Sequence, residues 1–221
     1  MELIQEMLKT IPISFLALIT VINPLGTAFT LNTMSSGIST QDRKALALKI
    51  VINSLFIFFV VLGFGKYILQ FFGISLPIIR IGGGLLLAVM GWNMLNSKNT
   101  KSDNQSSQDL GNTNFLDQSF YPFTFPVTVG PGCIAVIFTF SAHSSAEGHL
   151  MVELVRLVGS YIGLVGVAIV VYFSYVYSYV IEQKIGRAGA QALNRLMAFV
   201  TLCIGLEIVW TGIQTLLKIS V

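Results

Sequence analysis

Asn23-Pro24-Leu25-Gly26 interrupts an apolar run, Ile11 to Met34, that otherwise reads as one membrane-crossing helix. Proline inside a helix removes a backbone donor and clashes with the preceding turn. The residue before it is pushed away from helical geometry. Asn followed by Pro also suits a helix start, with Asn as N-cap and Pro in the first helical position. The run therefore predicts two half-helices that meet at Asn23. A second interruption, Pro126-Val127-Thr128-Val129-Gly130-Pro131-Gly132, lies in another apolar run far down the chain. Broken helices in corresponding halves of a membrane protein point to a transport site.

The composition agrees with a membrane location. Of the 221 residues, 54% are hydrophobic and 10% charged, against about 25% charged in soluble domains. Apolar stretches reach the roughly 20 residues needed to cross a bilayer. Spans are predicted over about 11–34, 45–72, 78–95, 120–142, 151–181 and 193–217, with Ser39 or Thr40 capping the second. Glycines at 82, 83, 84 and 91 give the third span a small-residue face for close helix packing. The run Tyr172-Phe173-Ser174-Tyr175-Val176-Tyr177-Ser178-Tyr179 reads as an interfacial aromatic belt, and Glu182 to Gln191 as a charged connector. A net charge of +3, carried mostly by connectors, fits topology signals better than nucleic-acid binding. Cys133 and Cys203 both fall in apolar runs and read as small buried side chains.

Each half runs in the same order: broken span, long apolar span, glycine-containing span. Residues 97–118 are polar and read as a flexible linker between a first three-helix repeat, 1–96, and a second, 119–221. An odd number of spans per repeat inserts the two copies in opposite orientations. The fold class expected is an all-α integral membrane protein: six transmembrane helices in two inverted repeats, the first and fourth helices broken. With both termini outside, the cytoplasmic side would hold Arg43, Lys44, Lys49, Lys98, Lys101, Lys184, Arg187 and Arg195. The other side would hold Lys9, Lys66, Arg80, Arg156 and Lys218.

Irregular backbone in the hydrocarbon must face protein or a water-filled cavity, because each unsatisfied peptide group costs several kcal/mol. The half-helices starting at Pro24 and Pro131 offer free N–H groups and a positive dipole end to a carboxylate. Carbonyls near Val21, Ile22, Pro126 and Val127 suit an ammonium group or a small cation. The predicted ligand-binding residues are Asn23, Pro24, Gly26, Thr27, Thr128, Gly130, Pro131 and Gly132, with the glycines admitting the ligand close to the backbone. The plainer alternative is a pair of structural kinks. Glu207 is the one acidic residue deep in an apolar span: a proton carrier, a counter-charge for an ammonium, or an acid hydrogen-bonded within the bundle. Arg80 and Arg195, at span starts, read as snorkelling anchors or gating pairs. His143, Glu147 and His149 match no standard metal spacing, so no metal site is expected. No phosphate loop, nucleophile elbow or HExxH motif occurs, so no ATP-driven pump or common hydrolase is indicated.

The Asn-Pro-x-Gly of the first span, the Thr-x-Gly-Pro-Gly of the fourth and the Arg-led glycine-rich third span resemble the MarC family of six-helix inner-membrane proteins. The resemblance covers nearly the whole chain. The motif positions carried over are Asn23, Pro24, Gly26, Thr128, Gly130, Pro131 and Gly132. The family, named for a multiple-antibiotic-resistance locus, is also classed as a neutral amino acid transporter family. The resemblance thus implies a non-enzymatic secondary carrier of small neutral amino acids, glycine or alanine in type. Coupling to protons or sodium is implied, with no organic cofactor, in the inner membrane, among lipids and as a possible homo-oligomer. The alternatives are an exporter of drugs or other metabolites, and an intramembrane enzyme or assembly factor.

Overall fold

The computed structural model describes residues 2–35, 37–96, 116–143 and 150–217. The polar linker falls outside the described residues except for its last three, and Glu147 and His149 fall outside as well. The described chain is almost wholly helical, without strands. Helix α1 (Glu2–Ile22) leads through Asn23 into α2 (Pro24–Met34), followed by α3 (Thr40–Phe72) and α4 (Leu76–Asn96). An irregular π-helical segment, Ser119–Thr128, precedes α5 (Pro131–His143), and α6 runs over Leu150–Leu217. Among the described residues five stretches are long and apolar enough to cross a membrane: Leu3–Met34, Thr40–Phe72, Leu76–Asn96, Leu150–Gly186 and Gln191–Leu217. The π-helical segment and α5, bent by 70° at their junction, make a sixth if taken as one span.

Local chemistry explains the ends. Ser39 caps α3, its Oγ accepting from the Asp42 N–H at 3.1 Å. Gly73 ends α3 in the left-handed region at φ +64°. The expected connector Glu182–Gln191 is instead helical except at Gly186, whose φ of +74° divides α6 into two arms. Glycine is the residue that takes this conformation without a Cβ clash.

The two halves are interlocked. In the antiparallel crossing of α4 with the second arm of α6, Gly91 lies against Ala198, Gly84 against Gly205, and Pro77 against Gly212. Each step of seven along one helix is matched by seven in reverse along the other. The opposite directions are those that two oppositely inserted repeats require. A Cβ at Gly84 would sit 2.7 Å from the Gly205 carbonyl oxygen, so this ladder sets backbone-to-backbone contact. The broken spans then cross over. Helix α1 lies along the first arm of α6, with Thr10 at Gly159 and Ser14 at Gly163, while α5 lies along α3, with Ser141 at Gly65. Each broken span therefore packs on the long span of the other half. That places both breaks at the centre of the bundle, walled by α4 and α6.

Candidate functional site

The first break is built by Asn23. Its backbone is left-handed (φ 49°, ψ 67°), the one positive φ at a non-glycine among the described residues. Its Oδ1 accepts from the Gly26 N–H at 3.2 Å, and Pro24 occupies the first helical position. The cap read from Asn-Pro is thus formed. Asn23 Nδ2 reaches Thr201 Oγ1 of α6 at 3.5 Å. Gly26 serves the cap and not the ligand, because a Cβ there would lie 3.0 Å from Asn23 Cγ.

The second break has a different local chemistry. The sequence Tyr121-Pro122-Phe123-Thr124 is followed at once by Phe125-Pro126-Val127-Thr128, the same aromatic-Pro-x-Thr pattern twice. Tyr121 and Phe125 are extended, and both following prolines are cis. Thr124 Oγ1 donates to the Ser119 carbonyl and Thr128 Oγ1 to the Phe123 carbonyl, each five residues back and at 2.7 Å. Helix α5 then restarts at Pro131.

Tyr175 holds the two breaks together. It is fully buried, and its hydroxyl lies 2.7 Å from Thr128 Oγ1, within hydrogen-bonding reach of Thr27 as well. The belt reading of this tyrosine is corrected. On the helix, Leu164, Val167, Ala168, Val171, Tyr175 and Ser178 form one buried stripe at three- and four-residue steps, and Phe173, Tyr177 and Tyr179 point outward. That spacing was the signal available in the sequence.

A cavity of about 70 Å³ lies between the breaks. Its wall includes Asn23 and Thr27 from the first break, Thr128, Gly130, Pro131 and Gly132 from the second, and Thr201 from α6. Six of the eight predicted ligand-binding residues therefore share one cavity. Pro24 and Gly26 are buried beside it without lining it. Thr30, Thr201, Cys133, Met90 and Met94 line it and were not anticipated. Past Met90 and Met94 the space continues into a wider recess of about 520 Å³ bounded by Asn93 and Asn194.

The hydroxyls are all oriented alike. Thr27 donates to the Asn23 carbonyl, Thr30 to Gly26, Thr128 to Phe123 and Thr201 to Met197. With their protons on backbone these hydroxyls can only accept, and part of that capacity is already used by Asn23 Nδ2 on Thr201 and by Tyr175 on Thr128. Donors come from the backbone: the first N–H groups of a helix have no intrahelical partner. In α5 that leaves Gly132 and Cys133, both on the cavity wall; in α2 it leaves Leu25, which is not on that wall. Among the described residues no Asp, Glu, Lys or Arg lines the cavity.

The other candidates lie elsewhere. Glu207 is exposed on the outer face of α6, with Cys203 and Trp210 exposed beside it, and does not line the cavity. A group so placed makes no contact with the cavity, so Glu207→Gln is expected to leave any flux through it, and the pH dependence of that flux, at wild-type values in reconstituted vesicles. Arg80 is buried where α4 meets α5 and α6, its Nε donating to Thr139 Oγ1 and Nη1 to Thr215 Oγ1, both at 3.3 Å. It is an inward hydrogen-bonding residue rather than a snorkelling anchor. Arg195 is exposed. Among the described residues no group of three or more His, Cys, Asp or Glu is placed to hold a metal ion.

No solved structure matches this chain. Among curated proteins, the UPF0056 inner membrane protein MarC of Escherichia coli O1:K1 / APEC is 29% identical over 220 residues, 96% of this chain and 98% of that one. The UPF0056 membrane protein YvbG of Bacillus subtilis (strain 168) is 28% identical over 201 residues, 90% of this chain and 92% of its own length. A family model described as MarC family integral membrane protein matches residues 8–217. With that match over almost its whole length, and with both Pro/Gly breaks inside it, the chain belongs to the MarC family of integral membrane proteins.

Proposed function

We propose that the chain is a secondary carrier of small neutral amino acids, glycine or alanine in type, whose zwitterion binds between the two broken helices. One observation carries this reading: a cavity lined by no charged side chain among the described residues, with the backbone N–H donors at the start of α5 and the hydroxyl oxygens of four threonines on its wall. Donors of that kind suit a carboxylate. The threonine oxygens, with carbonyls freed at the end of α1, suit an ammonium or a small cation. A ligand of zero net charge with both groups matches both sets, whereas a net charge would meet no counter-charge in a low-dielectric site. The part of the space that lies between the breaks, about 70 Å³, also favours a ligand of few atoms, because pockets for drug-sized molecules run to about 300–1,000 Å³.

This reading makes the chain a carrier and not an enzyme, with both termini on the outer side of the inner membrane. With Glu207 outside the cavity, hard oxygen ligands favour sodium over a carboxylate-borne proton as the coupling ion. Proteoliposomes containing the purified chain test it. Labelled alanine or glycine should accumulate under an inward sodium gradient and equilibrate without one. Gradient-independent leakage equal to that of empty vesicles, for every small neutral amino acid, would overturn it.

A further inference from the structure

At the end of the bundle where α2 finishes and α3 begins, a separate recess of about 460 Å³ is lined by Asn32, Arg43, Tyr179, Glu182 and Gly186. Arg43 is buried, yet only part of its guanidinium is committed. Its Nη1 donates to Asn32 Oδ1 and, at 3.1 Å, to Ser178 Oγ. Among the described residues Nε and Nη2 meet no acceptor, and neither is fully enclosed. Glu182 Oε2 accepts from Asn32 Nδ2 at 3.0 Å, and among the described residues no donor reaches Oε1. No direct ion pair joins the two charges among the described residues; the Asn32 amide links them, bonded to each. The Tyr179 ring lies 5.7 Å from the guanidinium carbon.

We propose that this recess is a second amino-acid site. The Nε–Nη2 edge of an arginine is a two-donor fork that fits a carboxylate. Glu182 Oε1 and the Tyr179 face suit an ammonium. A buried ion pair serving packing alone gains most by direct contact with every remaining donor satisfied; here the charges are held apart with their free edges on one recess. The site is coupled in space to the central cavity. Asn32 is five residues beyond Thr27 on α2, about 7 Å of helix rise. Ser178, which accepts from Arg43, has both Asn32 Oδ1 and the Tyr175 carbonyl at 2.8 Å as acceptors for its one proton. The inference rests on the reading that the transported ligand is an amino acid, and it adds a second place for that ligand.

Equilibrium binding of tritiated alanine to the purified full chain separates the two sites. Wild type is expected to bind two alanines per chain. Thr201→Val should remove the central one and Glu182→Gln should weaken the other by about tenfold or more, so that the pair of substitutions binds none. Acetate or methylammonium alone should not displace the second alanine at equal concentration; displacement by either overturns the dipolar site. One alanine per wild-type chain, lost with Thr201→Val and kept with Glu182→Gln, overturns this inference and leaves the central reading standing. One alanine lost with Glu182→Gln and kept with Thr201→Val overturns the central reading instead, and no binding overturns both. If Glu182→Gln is not monodisperse, Tyr179→Leu replaces it, since that ring is exposed and its loss removes the aromatic face alone.

Discussion

Asn23→Ala is expected to abolish alanine uptake and to lower the melting temperature of the purified chain, whereas Asn23→Gly is expected to restore the melting temperature and not the uptake. Asn23 does three things at once: it occupies the left-handed region, caps α2 and reaches Thr201. Alanine in that conformation costs about 1–2 kcal/mol. Losing an N-cap costs about 0.5–2 kcal/mol more, but only a few tenths when glycine replaces it. Glycine therefore recovers the backbone without the amide that faces the cavity. Thermal unfolding and flux on the same preparations check the pair. Uptake by Asn23→Gly at the wild-type rate would reduce Asn23 to a backbone device.

The second large effect is steric and concerns the fold. Gly84→Val is expected to yield no monodisperse protein, while Gly82→Val, two residues away in the same glycine triplet, is expected to behave as wild type. A Cβ at Gly84 would lie 2.7 Å from the Gly205 carbonyl oxygen and 2.8 Å from the Val209 nitrogen, both backbone atoms of the facing helix. Neither can step aside without separating α4 from α6, and overpacking of this kind costs typically 1–3 kcal/mol even where side chains can yield. At Gly82 a Cβ meets nothing within 4 Å. Size-exclusion profiles of the two variants, extracted side by side, decide it. Equal behaviour would mean that the ladder does not hold the two halves together.

What could be read beforehand divides along physical lines. Asn23-Pro24 was legible because capping and proline chemistry are local: two adjacent residues fix the geometry whatever surrounds them. The apolar spans were legible because the bilayer sets their length. Which face of a span points inward was not. Lipid is as apolar as a protein core, so the periodicity that marks a buried face in a soluble helix is weak here. Tyr175 and Glu207 are the two costs of that. Each lies among apolar neighbours, and depth along the span says nothing of direction around it; Tyr175 turned out to be central and Glu207 peripheral. The uncommitted edge of Arg43 and its recess with Glu182 depend on residues 139 positions apart in sequence, which only the crossing of α2, α3 and α6 brings together. The doubled aromatic-Pro-x-Thr pattern at residues 121–128 was in plain view, but its hydroxyl-to-carbonyl bonds five residues back belong to no standard helix and had no template.

The central claim is that the space between the two broken helices holds the ligand, and Cys133 tests it most directly. Cys133, in the first turn of α5, is one of the residues lining that cavity, with its Sγ on the Thr128 carbonyl at 3.8 Å, while Cys203 is exposed on the outer face. In a Cys203→Ser chain, Cys133 is then the one thiol left, and its alkylation by a small methanethiosulfonate reagent can be followed by mass. Modification is expected to proceed in the empty carrier and to slow when alanine is present in excess, as the ligand takes the space the reagent needs. Modification of Cys133 at the same rate with and without alanine, in a preparation that takes alanine up, would contradict the claim.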